Sequence, residues 1–412
     1  MAHDAARRPI VVGAGPGGAA TALFLAKAGV PSVVLEKARF PRDKVCGDAL
    51  SGKVVEVLNA LDPQLTGSLR TQSYALGAWG IRFVAPNGRG LRVPFKLSYD
   101  TQAEAPGFVA PRLAFDGWVV ERLRHEPLVE LREGVGVATL ERQGASVRVG
   151  LTDGTTLDTP LVVGADGAQG VVAKQLAGYR LAPRHHSAGL RQYWEGVAGL
   201  DAEGFIELHF LSPLLPGYLW VFPLPGGRAN VGLGIRSDVV ARKRLNLKTL
   251  LADLLANHAE LGPRFAQARA LEAPQGFGLP LGSRQVPLSG EGYLLVGDAG
   301  SLIDPFSGEG IGNALKSGQL AAAHIAQRGP GAAFDAATNR AYDRAVYQRL
   351  GSELRLGSAM QRLVERPWLF NLVVAKAQRS QELRDTITCM FEDLDLRGRL
   401  SNPLFYLKVL FA

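Results

Sequence analysis

Only two cysteines, Cys46 and Cys389, occur in the 412 residues, and they fit neither a disulfide framework nor a metal-ligand spacing. A reducing, cytoplasmic location is the expectation that follows. No run of about 18 uncharged apolar residues is present, so no membrane-spanning helix is expected. The N-terminus, MAHDAARRPIVVG, lacks the apolar core and small-residue cleavage site of a secretory signal. The seven histidines show no paired metal spacing, and His185-His186 reads as an exposed loop pair. Zinc-finger spacing, basic blocks and RNP-like aromatic strands are all missing, which argues against nucleic acid as a partner. The formal charge of +8 then suits anionic ligands or an anionic membrane surface. A mildly basic, soluble surface is the plainer reading of the same number. A chain this long is expected to form two domains.

What the chain does contain is glycine in ordered places. PIVVGAGPGGAATALFLAKAGVPSVVLEK reads as strand, turn, helix, strand, with Ile10 to Val12 as a buried parallel strand. Gly13, Gly15 and Gly18 supply G-x-G-x-x-G, with Pro16 inside it. The first permits the turn, the second admits a pyrophosphate, and the third lets helix and strand approach. Glu36, followed by Lys37, ends the second strand where a carboxylate can accept from a ribose. The unit implies a dinucleotide site without saying which dinucleotide.

Two later segments repeat the strand-to-glycine pattern. LVVGADGAQG carries Asp166 in its turn. YLLVGDAGSLIDPFSGEGIGNAL carries Asp298, then Pro305, Gly308, Gly310, Ile311, Gly312 and Asn313, and should open a helix near Gly310. Together these anchors resemble those of FAD-dependent oxidoreductases built like p-hydroxybenzoate hydroxylase. The resemblance covers most of the chain and implies FAD as cofactor. It implies that Asp298 bonds the ribityl chain and that the helix near Gly310 points its N-terminus at the pyrimidine end of the flavin. A helix N-terminus suits the negative charge of a reduced flavin. In APRLAFDGWVVERL, Arg112 matches an arginine that contacts the ribityl-phosphate portion. An exposed helix-start arginine is the other reading. Val137 falls where the superfamily strand passes the adenine. One departure stands out: a serine and an arginine commonly follow the Gly-Ala-Asp-Gly turn, and here Gly170 and Ala173 occupy those positions, so an NADPH-docking role there is in doubt.

PRDKVCGDALSG, residues 41 to 52, narrows the match. Pro41, Lys44, Cys46, Gly47, Ser51 and Gly52 fit the Pro-x-x-Lys-x-Cys-Gly-x-x-x-Ser-Gly segment of the geranylgeranyl reductase family. GYLWVFPLPGGRANVGLG fits the same family's Tyr-x-Trp-x-Phe-Pro...Gly-x-Gly pattern through Tyr218, Trp220, Phe222, Pro223 and Gly232, associated there with prenyl binding. Alternation along a strand also puts Tyr218, Trp220 and Phe222 on one face. An ordinary sheet core is the plainer account of that face. Cys46, the candidate catalytic residue, would lie beside the flavin ring with Arg42 and Gly47 in the same loop. Packing, tuning the ring's potential and donating a proton are its open roles, beside that of an inert small hydrophobe.

The resemblance implies an α/β fold: a Rossmann-type FAD-binding domain (1–73, 107–175 and 286–330), an inserted antiparallel β-sheet substrate domain (74–106 and 176–285) and a C-terminal helical region (331–412). Asn87-Gly88 marks a hairpin in the first insertion, and LKTLLADLLANHAEL an amphipathic helix in the second. The apolar tail NPLFYLKVLFA reads as a last helix docking on the core, with membrane-surface contact as the other reading. The implied reaction is reduction of isolated prenyl double bonds by reduced flavin, with NADPH or a reduced ferredoxin-like protein as electron donor. Partners would be a prenyl lipid or other apolar small molecule, a redox protein and a peripheral membrane surface. Monooxygenase or epoxidase chemistry is the alternative. Halogenation ranks below it, because the Trp-x-Trp-x-Ile-Pro strand and lysine of flavin halogenases are missing.

Overall fold

The computed structural model describes residues 8–96, 104–329 and 331–389. The tail segment 402–412 and the side chain of Cys389 lie outside the described residues. The apolar run Ile10–Val12 becomes the middle of a sheet whose order is Ser289–Gly290, Tyr293–Leu295, Val162–Gly164, Ile10–Val12, Ser32–Glu36 and Val129–Glu133. All pairings are parallel except that of the Ser289–Gly290 edge. Burial on both faces explains why the central strands Ile10–Val12, Val162–Gly164 and Tyr293–Leu295 are apolar throughout. On one face pack the helices Pro16–Lys27 and Ile311–Arg328, which meet closely because Gly318 lies against the Gly17 carbonyl and Thr21. The other face is covered by an antiparallel meander of Val137–Gln143, Ser146–Leu151 and Thr156–Thr159.

A second, larger sheet is assembled from both inserted segments. Its order is Arg269–Ala270, His186–Glu195, Arg228–Arg236, Tyr218–Leu224, Phe205–His209, Gly80–Val84 and Gly90–Pro94, and Gln275–Pro280 also pairs with His186–Glu195. The Gly80–Val84 and Gly90–Pro94 hairpin turns at Gly88, whose φ of 79° suits glycine. The sheet differs from the expected all-antiparallel form at one seam, since Phe205–His209 runs parallel to Gly80–Val84. Those strands come from different insertions. No hairpin joins them, and so nothing forces them antiparallel.

Trp194 and Glu195 end the longest strand of this sheet. His186 begins it, and His185 closes the short helical turn before it. The two histidines are thus half-buried, bonded to Ser283 and Ser237 respectively, where the sequence reading had an exposed loop pair. Beyond the nucleotide-binding sheet the chain turns helical. Ala336–Val364 opens on Asp335, which caps it by accepting from the Thr338 amide, and Pro367–Arg379 and Gln381–Cys389 follow. Phe370, Val374 and Ala377 of the middle helix close the apolar cluster formed by the Gly80–Val84 hairpin and the aromatic strand.

Candidate functional site

One cavity of about 1760 Å³ runs from the C-terminal ends of the parallel strands to the larger sheet. At its nucleotide end, Gly13 takes φ +99°, and a Cβ there would sit 2.5 Å from the Ala165 carbonyl oxygen. A Cβ on Gly18 would lie 1.8 Å from the Gly13 carbonyl oxygen, so no other residue fits between turn and helix. Gly15 caps the Pro16–Lys27 helix without any side-chain hydrogen bond, leaving the first-turn amides available to an anion in the cavity. Glu36 is buried and held by the Ala14 and Ala38 amides, each at 2.9 Å, and lines the wall with Lys37 and Val137. Arg42 reaches beside Gly15 and pairs with Asp116 at 3.0 Å.

Asp166 accepts from the Val172 amide through Oδ2, while its buried Oδ1 has no protein partner. Burial pushes this carboxyl above the ordinary range. A Cβ on Gly170 would fall 2.1 Å from that Oδ1, so any other residue there requires the Asp166 carboxyl to shift. An uncapped helix start, glycine-bounded walls and an orphaned acceptor fit an FAD with its pyrophosphate at Gly15 and its adenosine beside Glu36 and Val137.

Midway along the cavity the Cys46 loop crosses. Arg112 lies here fully buried, not exposed at a helix start. It forms a bidentate pair with Asp116 (2.6 Å for both bonds) and lines the cavity together with Cys46. Burial works against its charge, and Asp116 more than restores it, so the guanidinium stays protonated. Lys44 pairs with Asp298 at 2.9 Å. Gly308, Gly310 and Ile311 line the opposite wall, and Gly310 caps the Ile311–Arg328 helix without a side-chain bond. The sequence thus places a second helix N-terminus against this cavity.

The far end is an apolar chamber. Tyr218, Trp220 and Phe222 share one face of their strand and line it together with Ile81, Ile206, Leu208, Phe277 and Phe306. Tyr218 donates to the Ser307 carbonyl at 2.6 Å, joining the aromatic strand to the Asp298–Gly310 loop. Burial raises its pKa beyond the usual phenol range. A Cβ on Gly47 would meet the Phe222 ring at 2.9 Å, so the Cys46 loop needs glycine to lie on the aromatic wall.

Some residues singled out from sequence do not line the cavity. Pro223 alternates to the other face of the aromatic strand, opposite Ala229. Gly232 lies behind Trp220, where a Cβ would be 2.2 Å from the indole. Pro305 accepts from Gln361, Gly312 donates to Glu309, and Asn313 bonds the Leu302 carbonyl and Lys53, so these three support the loop from behind.

Sequence reasoning missed Asp48, Asn230 and Tyr193. Asn230, fully buried, accepts from Trp220 Nε1 at 2.8 Å and donates to the Cys46 carbonyl at 2.8 Å and to Asp48 Oδ2 at 2.7 Å. Tyr193 donates to the same Oδ2 at 2.6 Å. Asp48 stood in the quoted cysteine segment and Asn230 in the quoted aromatic one. A buried polar residue beside a motif is the only signal that could have flagged them.

Residues 8–189 match the family described as FAD binding domain. Menaquinone reductase of Mycobacterium tuberculosis is 29% identical over 348 residues, covering 78% of this chain and 77% of that protein. Digeranylgeranylglycerophospholipid reductase 2 of Methanopyrus kandleri is 30% identical over 329 residues, covering 76% and 75%. Among solved structures, a geranylgeranyl bacteriochlorophyll reductase-like protein of Thermoplasma acidophilum superposes with TM-score 0.77 at 22% identity, over 96% of this chain and 98% of that one. The fold is wider than that chemistry, since a flavin-dependent brominase superposes with TM-score 0.76 at 18% identity, over 98% of both chains.

Proposed function

The chain belongs to the geranylgeranyl reductase family of FAD-dependent oxidoreductases, and on that premise we propose that it reduces isolated C=C bonds of a prenyl chain. The observation that carries the reading is the continuity of one cavity from the dinucleotide trough, past Cys46, into an aromatic and aliphatic chamber. An FAD held by the Gly13–Gly18 turn, Glu36 and the Gly310 helix start would supply the two electrons, as hydride to one alkene carbon. The other carbon needs a proton, and Cys46 stands at the boundary between trough and chamber to give it. An unactivated alkene resists addition, so the protein must hold the chain in place and exclude water. Trp220, Phe222, Ile206, Leu208 and Phe306 supply the dry walls. Tyr218 and Asn230 tie those walls to the loops around the trough.

The substrate on this reading is a lipid or quinone carrying a prenyl tail, in keeping with the relatives' names. The electron donor would be NADPH or a reduced ferredoxin-like protein, with Gly170 and Ala173 standing where an NADPH-handling serine and arginine are common. No helix among the described residues is long and apolar enough to cross a membrane. A cytoplasmic enzyme touching the membrane peripherally to reach its lipid is part of the proposal.

The test is anaerobic. Flavin in the purified enzyme is reduced with dithionite, and prenyl diphosphates, prenyl glycerolipids and menaquinol, its ring already reduced so that only the prenyl chain can accept electrons, are added in turn. Reoxidation with one class and not the others identifies the substrate class. A Leu208→Trp variant, which fills the chamber, should keep its flavin and lose that reoxidation. A flavin that stays reduced with every lipid counts against prenyl reduction.

A further inference from the structure

The helix Pro367–Arg379 is apolar on two sides. Phe370, Val374 and Ala377 recur on its inner side and are buried. The Phe370 ring lies 4.9 Å from that of Phe210, and Phe210 stacks at 5.3 Å on Phe306, which lines the chamber. Two polar contacts hold the helix against the Gly80–Val84 and Gly90–Pro94 hairpin. Gln378 donates to the Gly90 carbonyl at 2.7 Å, and the Asn87 amide donates to Asn371 Oδ1 at 3.3 Å. The helix is therefore an outer wall of the chamber. Leu356 and Gly357, on the helix that leads into it, and Phe95, just past the hairpin, line the same cavity.

The outer side is apolar over its first two turns. Trp368 is 64% exposed, the most exposed large apolar side chain among the described residues. Leu372 follows by four residues and so lies on the same side, with Leu369 next to it, both half-buried. A scattered apolar side chain on a surface needs no explanation. Here the inner side already meets the core, so an aligned indole and two leucines on the outer side are surplus to folding.

Cations bracket this face. Residues 362–379 hold Arg362, Arg366, Lys376 and Arg379 against one carboxylate, Glu365. Glu365 is taken by Arg236 of the larger sheet at 2.7 Å. Arg362, Arg366 and Arg379 are exposed, and none of them pairs with a carboxylate among the described residues. A helix lying in a membrane interface has this composition, with tryptophan and leucine on the buried side and basic residues around them to meet anionic headgroups.

We propose that the outer face of the Pro367–Arg379 helix docks on an anionic lipid bilayer, with Trp368 and Leu372 in the interface and the four cations against the headgroups. The inference rests on the reading of a prenyl-lipid substrate and deepens it, by naming the face turned to the membrane that holds such a lipid. Its test uses neither substrate nor turnover, so it fails separately from prenyl reduction.

The oxidised, flavin-loaded full chain is mixed with vesicles of phosphatidylcholine alone, or of equal parts phosphatidylcholine and phosphatidylglycerol, and bound protein is read by flotation. Wild type should bind the anionic vesicles at least about tenfold more tightly than the neutral ones. Trp368→Ser should weaken binding to the anionic vesicles about tenfold. Arg362→Gln and Arg379→Gln should each weaken it about fivefold. All three side chains are exposed, so flavin content and circular dichroism should match wild type. Wild type that binds neither vesicle, or both equally, overturns the proposal. Binding unchanged by Trp368→Ser overturns it too, and a fall in mass by light scattering in that variant would then assign the face to a second copy of the chain.

Discussion

Trp220→Phe isolates the link between the aromatic wall and the cysteine loop. The indole is 4% exposed and Asn230 is 0% exposed, so the Nε1–Oδ1 bond of 2.8 Å lies out of water. Removing the N–H leaves a buried amide oxygen without its donor, at a cost of about 1–3 kcal/mol. Each 1.4 kcal/mol or so is a tenfold change in an equilibrium constant, so the folding equilibrium constant should fall by roughly five- to 150-fold. Asn230→Ala should cost at least as much, because it also strips a donor from Asp48 and from the Cys46 carbonyl. Urea unfolding of the flavin-loaded single and double variants forms a cycle, in which a shared bond appears as about 0.5–3 kcal/mol of non-additivity. Effects that simply add would refute the claim that Asn230 couples the two walls.

Gly170→Ser should weaken flavin retention and cost about 1–3 kcal/mol by overpacking, because its Cβ would sit 2.1 Å from Asp166 Oδ1; flavin content after dialysis reads it. Glu207 gives a pH prediction. Burial pushes it up, but hydrogen bonds from His209 and Arg264 win and hold it at about 2 against the usual 4.5. A depressed carboxylate contributes stability above its ordinary pKa and loses it as pH falls towards the folded value. Acid unfolding of wild type between about pH 4.5 and pH 2 should therefore lose about 3 kcal/mol that Glu207→Gln does not show. Cys46→Ala should bind FAD and fold as wild type yet reduce its lipid at least tenfold more slowly, since general acid catalysis is worth roughly a hundredfold or more. Unchanged turnover would remove the thiol from the chemistry.

The nucleotide end was legible because its constraints are local. Gly18 sits against the Gly13 carbonyl within one turn and Gly13 takes a positive φ there, and alternation alone put Tyr218, Trp220 and Phe222 on one face. What escaped the sequence depends on distant partners. The parallel seam between Phe205–His209 and Gly80–Val84 joins two insertions more than a hundred residues apart, and no turn chemistry announces it. Asn230 and Tyr193 matter because the sheet folds over the Cys46 loop, which neither residue's neighbours encode. Pro223 and Gly232 sit inside a family pattern without touching the cavity. Motif membership there reflects strand pairing and the close packing of Trp220, not contact with a ligand.

The most direct measurement is the mass of the prenyl lipid recovered after a single anaerobic turnover of flavin-reduced enzyme. Reduction of one double bond per flavin reoxidised, seen as a gain of two hydrogens, is the result expected. Lipid of unchanged mass without oxygen, and of oxygenated mass once oxygen is admitted, would contradict the account and assign the cavity to monooxygenase chemistry.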